Sequence, residues 1–187
     1  WEECLQHVKG YKGARYKSFA TRAEAERALD SPEDYQTHAA VRKAPSAPKA
    51  LPENIDYNAI AVDAACSGNP GKMEYRGVYL RTGKEIFHFG PVYGTNNIGE
   101  FLGIVHGLSY LKRRGLPQPL YTDSVNAIKW VEQKKCKTKM ERNEKNKDLF
   151  DYIARAEKWL QENTYTTEII KWDTQSWGEI PADFGRK

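Results

Sequence analysis

The sequence predicts an α/β protein in which a mixed sheet is flanked by helices, with a small α+β unit before it. From residue 55 onward the segments read, in order, as three strands, a helix, a strand, two helices and a strand. The first strands follow one another directly, which favours antiparallel pairing, whereas strands reached through helices favour parallel pairing. A mixed sheet with helices packed on it is the architecture that this order indicates.

The strand assignments rest on short apolar or alternating runs that are bounded by turn residues. The first run holds Ile60, Val62 and Asp63 and ends at a turn rich in glycine and proline. Two alternating runs follow it and predict an antiparallel meander. The predicted strands are NAIAVDAACS, YRGVYLR, EIFHFGPVY, PLYTD and EIIKW.

The helix assignments rest on apolar side chains spaced three and four residues apart. In the first helix this spacing places Phe101, Ile104, Val105, Leu108 and Leu111 on the inward face, and Gly115 ends it. The predicted helices are IGEFLGIVHGLSYLKRRG, SVNAIKWVEQKK and KDLFDYIARAEKWLQENT.

Composition divides the chain into three parts. Residues 1–30 read as a helix, a short strand and a helix capped by Thr21, a unit too small to bury a core of its own. Residues 31–54 carry prolines among alanines and lysines, which predicts an extended linker. Residues 55–187 then form the larger domain.

Composition and cysteine usage favour a cytoplasmic protein, and the net charge is compatible with a polyanionic partner. Charged residues make up 29% of the chain, and no apolar run approaches the roughly 20 residues of a membrane-spanning helix. The start of the chain has no signal-peptide pattern, and the three cysteines follow no metal-ligand spacing, so we expect reduced thiols. The net charge of +4 is compatible with a polyanionic partner.

Two carboxylates stand in runs that are otherwise destined for the core. Asp63 interrupts the first strand and Asp123 ends a later one. Burying a carboxylate is costly unless it is neutralised, and Mg²⁺ is a hard cation that prefers oxygen ligands. Both residues are expected where the strand order reverses, and Glu100, four residues before Ile104, shares the inward face of its helix. The sequence therefore predicts a metal site built from distant segments.

A purely structural interpretation is also open for three acids: Glu100, Asp123 and, near the end of the sequence, Asp183. Asn97 with Glu100 could form a capping box at a helix start, and Asp123 could cap the next helix. Asp183, taken alone, could be a solvated acid. These alternatives stay open on the residues alone.

Four ordered segments resemble the signature segments of type 1 ribonuclease H, in particular a bacterial subgroup whose last segment reads WGEI-AD-GRK. The segments are VDAACSGNPG, TNNIGEFLGIVHGL, YTDSVNAIKW and GEIPADFGRK. The resemblance implies a five-stranded mixed sheet and a monomer that hydrolyses the RNA strand of RNA–DNA hybrids, leaving 5′-phosphate and 3′-hydroxyl ends. It also implies that two Mg²⁺ ions, or Mn²⁺, are bound by Asp63, Glu100, Asp123 and Asp183.

The last segment departs from the pattern of many family members, which carry a histidine-bearing loop before the final aspartate. Here the stretch WDTQSWGEIPAD has no histidine. Glu179 stands four residues before Asp183, where the similar subgroup has a glutamate. The resemblance therefore implies a secondary catalytic role for Glu179 near the metals.

The resemblance also implies how the hybrid is bound. Contacts to the minor groove would come from Gly68, Asn69, Asn96 and Asn97. A pocket for a DNA phosphate would be formed by Thr95, Asn97 and Thr138. Cys66 stands where relatives often have serine, and Val125 where they often have glutamine.

The N-terminal stretch WEECLQHVKGYKGARYKSFATRAEAERAL resembles the small hybrid-binding module that precedes many cellular type 1 ribonucleases H. Trp1 and Tyr16 match aromatic positions that contact the DNA strand, and Lys17 matches a backbone contact. Stacking aromatics with interleaved cations suit a nucleic-acid strand. The usual first strand of the module is missing, so the resemblance covers part of it.

Two other functions are compatible with the same residues. One is a hybrid-binding protein without turnover, against which the presence of all four carboxylates argues. The other keeps the fold but cleaves DNA, as resolvases and integrases do, and the TNN segment argues against it.

Overall fold

The computed structural model describes residues 54–185. The chain divides into two units between Lys49 and Ala50, and the described residues all belong to the second. The predicted N-terminal unit, nearly all of the predicted linker and the candidate contacts Trp1, Tyr16 and Lys17 lie outside the described residues.

The described part of the chain folds in the predicted order, with one short helix added near its end. The strands are β1 (Ile60–Gly68), β2 (Gly71–Tyr79), β3 (Lys84–Gly94), β4 (Leu120–Thr122) and β5 (Ile169–Lys171). The helices are α1 (Asn96–Arg114), α2 (Val125–Glu132), α3 (Lys147–Glu162) and α4 (Thr174–Trp177). None of these helices is long and apolar enough to cross a membrane.

The five strands form one mixed sheet in the order β3-β2-β1-β4-β5. Strands β1, β2 and β3 pair antiparallel, because short turns connect them. Strand β4 pairs parallel with β1, and β5 pairs parallel with β4, because helical crossovers return the chain in the same direction. The predicted mixed sheet flanked by helices is confirmed for the described residues, and β1 lies at the centre of the sheet.

Apolar residues cover both faces of the sheet. Ile60 and Val62 of β1 pack in one buried cluster with Ile104 and other residues of α1. Ala61 belongs to a second cluster with Ile180 and Ala182, which lie in the C-terminal segment, residues 178–185. Successive residues of a strand point to opposite faces, so Asp63 lies on the face that the C-terminal segment covers.

Helix α1 has well-defined ends and approaches the sheet closely. The Thr95 hydroxyl accepts a hydrogen bond from the Ile98 N–H at the start, and Gly115 ends the helix with φ 62°, as predicted. A Cβ on Gly99 would lie 2.8 Å from the Ala64 Cβ, so glycine is needed for this approach. The neighbouring Glu100 is thereby held next to β1.

Candidate active site

Three carboxylates from three elements meet at one point of the sheet. One carboxylate oxygen from each of Asp63, Glu100 and Asp123 lies within 4.8 Å of the other two. Asp63 is buried, with 8% of its surface exposed, whereas Glu100 and Asp123 are half-buried. The cluster therefore combines shielding from water with an open side.

The register of the two central parallel strands explains why Asp63 and Asp123 are neighbours. Ile60 pairs with Leu120, and Ala61 pairs with Tyr121. Extending this register by two residues sets Asp63 beside Asp123. Because β4 ends at Thr122, the Asp123 side chain lies at the carboxyl end of its strand, where functional groups of such sheets gather.

Glu100 reaches the same point from the first turns of α1 and is held by two donors. The Asn96 Nδ2 group donates to its Oε1 at 2.9 Å, and the Ser124 hydroxyl donates to its Oε2 at 2.5 Å. Sequence reasoning missed Ser124. The local signal that could have identified Ser124 is its position directly after Asp123, where serine is a favoured N-cap for the following helix.

The caps of the two helices settle two of the structural alternatives. Thr95, rather than Asn97, is the N-cap of α1. Ser124, rather than Asp123, is the N-cap of α2, where its hydroxyl accepts a hydrogen bond from the Ala127 N–H at 3.2 Å. Both capping predictions were wrong by one or two residues, because the hydroxyl group of a neighbouring residue accepts the capping hydrogen bond instead. Neither Glu100 nor Asp123 is used as a helix cap.

Burial and mutual repulsion make the cluster hard to ionise. Burial, followed by the charges of Asp123, Asp183 and Glu100, raises the pKa of Asp63 to about 7. Burial also raises the pKa of Glu100, although the hydrogen bonds from Ser124 and Asn96 oppose it. A cation placed among these groups would remove the repulsion.

Asp123 feels the same burial but has a cation nearby. Burial raises its pKa, the ammonium group of Lys171 opposes the rise, and the charges of Asp183 and Glu179 add to it. Lys171 is on β5, the strand next to β4. Sequence reasoning gave Lys171 no role, because its proximity follows from the order of the strands.

Asp183 faces the cluster without joining its 4.8 Å group. It lies in the C-terminal segment, half-buried, and its charge raises the pKa of both Asp63 and Asp123. Its Oδ2 atom accepts a hydrogen bond from the Gly185 N–H at 3.1 Å. The structure therefore places this fourth carboxylate at the edge of the site, on the face where Ile180 and Ala182 are buried.

Glu179 is an exposed carboxylate that follows the short helix α4 and its C-cap Gly178. Its charge contributes to the raised pKa of Asp123. Sequence reasoning placed Glu179 near the other acids, and the structure sets it within electrostatic reach of one of them.

The candidate hybrid-binding residues fall into two places. Gly68 ends β1 with φ 87°, and the Asn69 side-chain oxygen accepts a hydrogen bond from the Asn96 N–H at 3.3 Å. This link holds the turn after β1 next to the start of α1, where Asn97 is exposed. Thr138 lies in the loop between α2 and α3, where its hydroxyl accepts from the Met140 N–H at 3.1 Å.

The two departures from the resemblance have visible surroundings. The Cys66 thiol points towards the Gly94 carbonyl oxygen at 3.5 Å. Val125 is the first residue of α2 and is 48% exposed, next to the site residue Ser124.

The donor set fits a hard divalent cation, since only carboxylate oxygens converge among the clustered residues. Fold and site together define a class of protein: α/β enzymes whose clustered carboxylates hold divalent cations.

Comparison with known proteins identifies the family. The family model described as RNase H matches residues 56–173, and the model described as Ribonuclease H1 N-terminal domain matches residues 1–29. The first match covers more than half of the chain and includes Asp63, Glu100 and Asp123. The chain belongs to the RNase H family of hydrolytic enzymes. The predicted resemblances to ribonuclease H and to its N-terminal module are confirmed, whereas the glutamate in place of a histidine stays a prediction.

Curated relatives support the same family. The Ribonuclease H of Thermoanaerobacter sp. (strain X514) is 37% identical over 115 residues, which cover 54% of this chain and 73% of the relative. The Ribonuclease H of Marinobacter nauticus is 38% identical over 100 residues, covering 49% and 67%.

Among solved structures, LC11-RNase H1 isolated from compost is 18% identical with a TM-score of 0.43, covering 64% of this chain and 87% of that one. The structure of LC11-RNase H1 in complex with an RNA/DNA hybrid is 16% identical with a TM-score of 0.40, covering 63% and 86%.

Proposed function

We propose that this chain is an endonuclease that hydrolyses the RNA strand of RNA–DNA hybrids with two Mg²⁺ ions, for which Mn²⁺ could substitute. The products would carry 5′-phosphate and 3′-hydroxyl ends. The observation that carries the proposal is the convergence of Asp63, Glu100 and Asp123 within 4.8 Å on a sheet of the RNase H family. The charge of Asp183 on this cluster adds a fourth acid.

The four carboxylates would share the two cations. Asp63 is the central residue, because it is buried and its pKa responds to all three of the others, so we assign it the bridging position. Glu100, Asp123 and Asp183 would complete the two ligand sets. When bound, the cations would activate a water molecule and neutralise the charge that develops on the leaving 3′ oxygen.

The residues around the carboxylates supply orientation. Asn96 and Ser124 hold both oxygens of Glu100, so its carboxylate keeps one direction during turnover. Lys171 keeps Asp123 closer to its ionised form than burial alone would. Both effects preserve a charged and ordered donor set.

Binding of the hybrid would use the surface next to Glu100. Gly68, Asn69, Asn96 and Asn97 lie at the turn after β1 and the start of α1, where they could read the 2′-hydroxyl groups of RNA across the minor groove. Thr95, Asn97 and Thr138 are proposed to contact a DNA phosphate, which positions the duplex. Trp1, Tyr16 and Lys17 would add contacts from the N-terminal unit. We propose that a monomer is the active form.

A cleavage assay with matched duplexes tests the proposal. We expect a labelled RNA–DNA hybrid to be cut in its RNA strand in Mg²⁺ and left intact in EDTA, while RNA–RNA and DNA–DNA duplexes of the same sequence persist. Binding of the hybrid without cleavage would favour a binding protein. Comparable cutting of duplex DNA would favour a DNA-cleaving relative of this fold.

Glu179→Ala should lower the multiple-turnover rate about tenfold while leaving hybrid affinity nearly unchanged. The exposed Glu179 carboxylate reaches Asp123 through its charge, so it can act on the occupied site without holding the duplex. Steady-state rates and hybrid binding in Ca²⁺ give the measurement. Glu168→Ala is the matched control, because Glu168 is an exposed acid at the opposite end of β5. An unchanged rate for Glu179→Ala would remove Glu179 from the site.

Deletion of residues 1–54 should leave the catalytic rate constant within about twofold of the full chain, because residues 55 onward form the predicted catalytic domain with its own core. Ile55 remains in that fragment, where it is buried. Single-turnover cleavage and circular dichroism of the fragment provide the check. An inactive but folded fragment would show that the N-terminal unit takes part in catalysis, and an unfolded one that the boundary is misplaced.

A further inference from the structure

Arg76 of β2 holds the main chain of the C-terminal segment. Its Nε–H donates to the Ala182 carbonyl oxygen at 2.8 Å, and its Nη2 group donates to the Asp183 carbonyl oxygen at 2.7 Å. The Arg76 side chain is 25% exposed. One guanidinium group therefore grips two consecutive carbonyl groups, at Asp183 itself and at the residue before it.

The position of Arg76 in the sheet places these two hydrogen bonds next to Asp63, the central carboxylate of the cluster. Arg76 is the antiparallel partner of Asp63 in the register of β1 and β2. Directly paired residues project to the same face of a sheet. Asp63 and Arg76 are therefore neighbours on one face of the sheet, and Arg76 holds the main chain of Asp183 next to Asp63. Arg76 and Asp183 are 107 residues apart in sequence.

The segment that carries Asp183 needs such an anchor. Residues 178–185 contain no helix or strand, so their backbone is not held by the hydrogen bonds of a helix or a sheet. A metal-binding carboxylate must be held within about 0.5 Å of its working position. The buried side chains of Ile180 and Ala182 pack the segment against the sheet. The hydrogen bonds from Arg76 then hold the main chain at Asp183 in place.

Two further contacts orient the guanidinium group. The Arg76 Cζ atom lies 4.7 Å from the centre of the Phe184 ring, a cation–π contact with the residue after Asp183. Its Nη1 atom lies 3.5 Å from the Glu85 Oε2 atom of β3. Arg76 thus contacts three consecutive residues of the segment, 182 to 184, while Glu85 holds it from the other strand.

We propose that Arg76 is a positioning residue that sets the place of Asp183 relative to Asp63, and thereby the occupancy of the metal that Asp183 helps to hold. The proposal rests on the proposed two-metal function. Arginine suits the role because its planar fork can donate to two acceptors at once, whereas lysine is a single point charge. Lysine at this position would keep the charge and lose half of the grip.

The test measures cleavage of an RNA–DNA hybrid against Mg²⁺ concentration for wild type, Arg76→Met and Arg76→Lys. Calorimetric titration of Mg²⁺ into each protein without substrate gives the metal affinity independently of cleavage, and Arg76→Met should weaken it, whereas an unchanged affinity would overturn the proposal. We expect Arg76→Met to raise the half-saturating Mg²⁺ concentration and to lower kcat by about 10–100-fold, the range found when partners of metal ligands are removed. KM for the hybrid should stay within about twofold, because Arg76 points to the protein main chain. Arg76→Lys should fall between the two.

Controls separate the grip from general effects. Arg81→Met removes an exposed arginine from the turn after β2 and should leave the Mg²⁺ dependence unchanged. Glu85→Gln removes the ion pair but keeps the two main-chain hydrogen bonds, so its effect on the Mg²⁺ dependence should be smaller than that of Arg76→Met. If Arg76→Met does not fold, Arg76→Lys carries the same comparison.

A double-mutant cycle decides whether Arg76 acts through Asp183. In an Asp183→Asn background, Arg76→Met should cost little further, because the carboxylate that it positions is already gone. Costs that simply add, or an Arg76→Met protein with the wild-type Mg²⁺ dependence, would overturn the proposal. A wild-type protein that leaves the hybrid uncut would instead refute the proposed function itself, so the two failures are distinguishable.

Discussion

Asp63→Asn should reduce cleavage of an RNA–DNA hybrid by about 10³-fold in Mg²⁺, the upper end of the range of about 10²–10³-fold for loss of one group that stabilises transition-state charge. Asp63 is the buried member of the carboxylate cluster, and all three other acids act on its pKa. An amide in its place cannot supply a negative ligand to either cation. Hybrid binding in Ca²⁺ should change little, because the proposed duplex contacts lie in other residues.

The same substitution should stabilise the metal-free protein. The Asp63 carboxyl has a pKa of about 7 in the folded protein against its ordinary value of 3.8, so between these values the folded state holds a proton that the unfolded state has lost. The contribution of this group to stability is therefore greatest at low pH and declines as the pH rises towards 7. Asn has no charge to bury, and we expect a gain of about 2 kcal/mol in the free energy of unfolding at pH 8 in EDTA.

Both effects can be measured on the same protein samples. Single-turnover cleavage gives the rate, and denaturant unfolding in EDTA at pH 8 and pH 5 gives the stability. The stability gap between variant and wild type should narrow at pH 5. Asp151→Asn is the matched control, because Asp151 is an exposed acid of α3 paired with Arg142. Retained cleavage by Asp63→Asn would contradict the assignment of the site. An unchanged free energy of unfolding at pH 8 would contradict the inference that the ionised Asp63 carboxylate destabilises the metal-free protein.

The sequence was sufficient for the parts of the site that have a local signal. Asp63 and Asp123 could be singled out because each interrupts or ends an apolar run, and Glu100 because it shares a helical face with Ile104. The fold followed from the order of strands and helices, since that order restricts which strands can pair in parallel. These predictions needed only periodicity and connection lengths.

The supporting residues could not be predicted in this way. Ser124, Lys171 and Arg76 matter because of what lies across from them: the Glu100 carboxylate, the neighbouring strand β4 and the main chain of Asp183. Such contacts depend on strand order, register and side-chain direction, which local patterns leave open. The misplaced caps at Asn97 and Asp123 have a related cause, since Thr95 and Ser124 offered equally good hydroxyl caps within two residues.

Lowering the pH from 8 to 6 should raise the Mg²⁺ concentration that half-saturates the enzyme by about tenfold. The pKa of Asp63 is near 7 because burial and the charges of Asp123, Asp183 and Glu100 disfavour its ionised form. A cation must therefore displace a proton from this group when the pH is below 7, and each further pH unit weakens apparent binding by up to about tenfold. Above pH 7 the proton is already gone, and the dependence should level off.

Two measurements separate this competition from a direct effect of pH on the reaction. Cleavage rates are compared at limiting and at saturating Mg²⁺, because proton competition affects the first and disappears in the second. Calorimetric titration of Mg²⁺ into the protein without substrate, repeated in buffers of different ionisation enthalpy, counts the protons released. We expect close to one proton per protein at pH 6 and almost none at pH 9. A half-saturating concentration that does not change between pH 6 and 8 would show that the cluster is already ionised before the cation arrives, and the raised pKa of Asp63 would then have no part in metal binding.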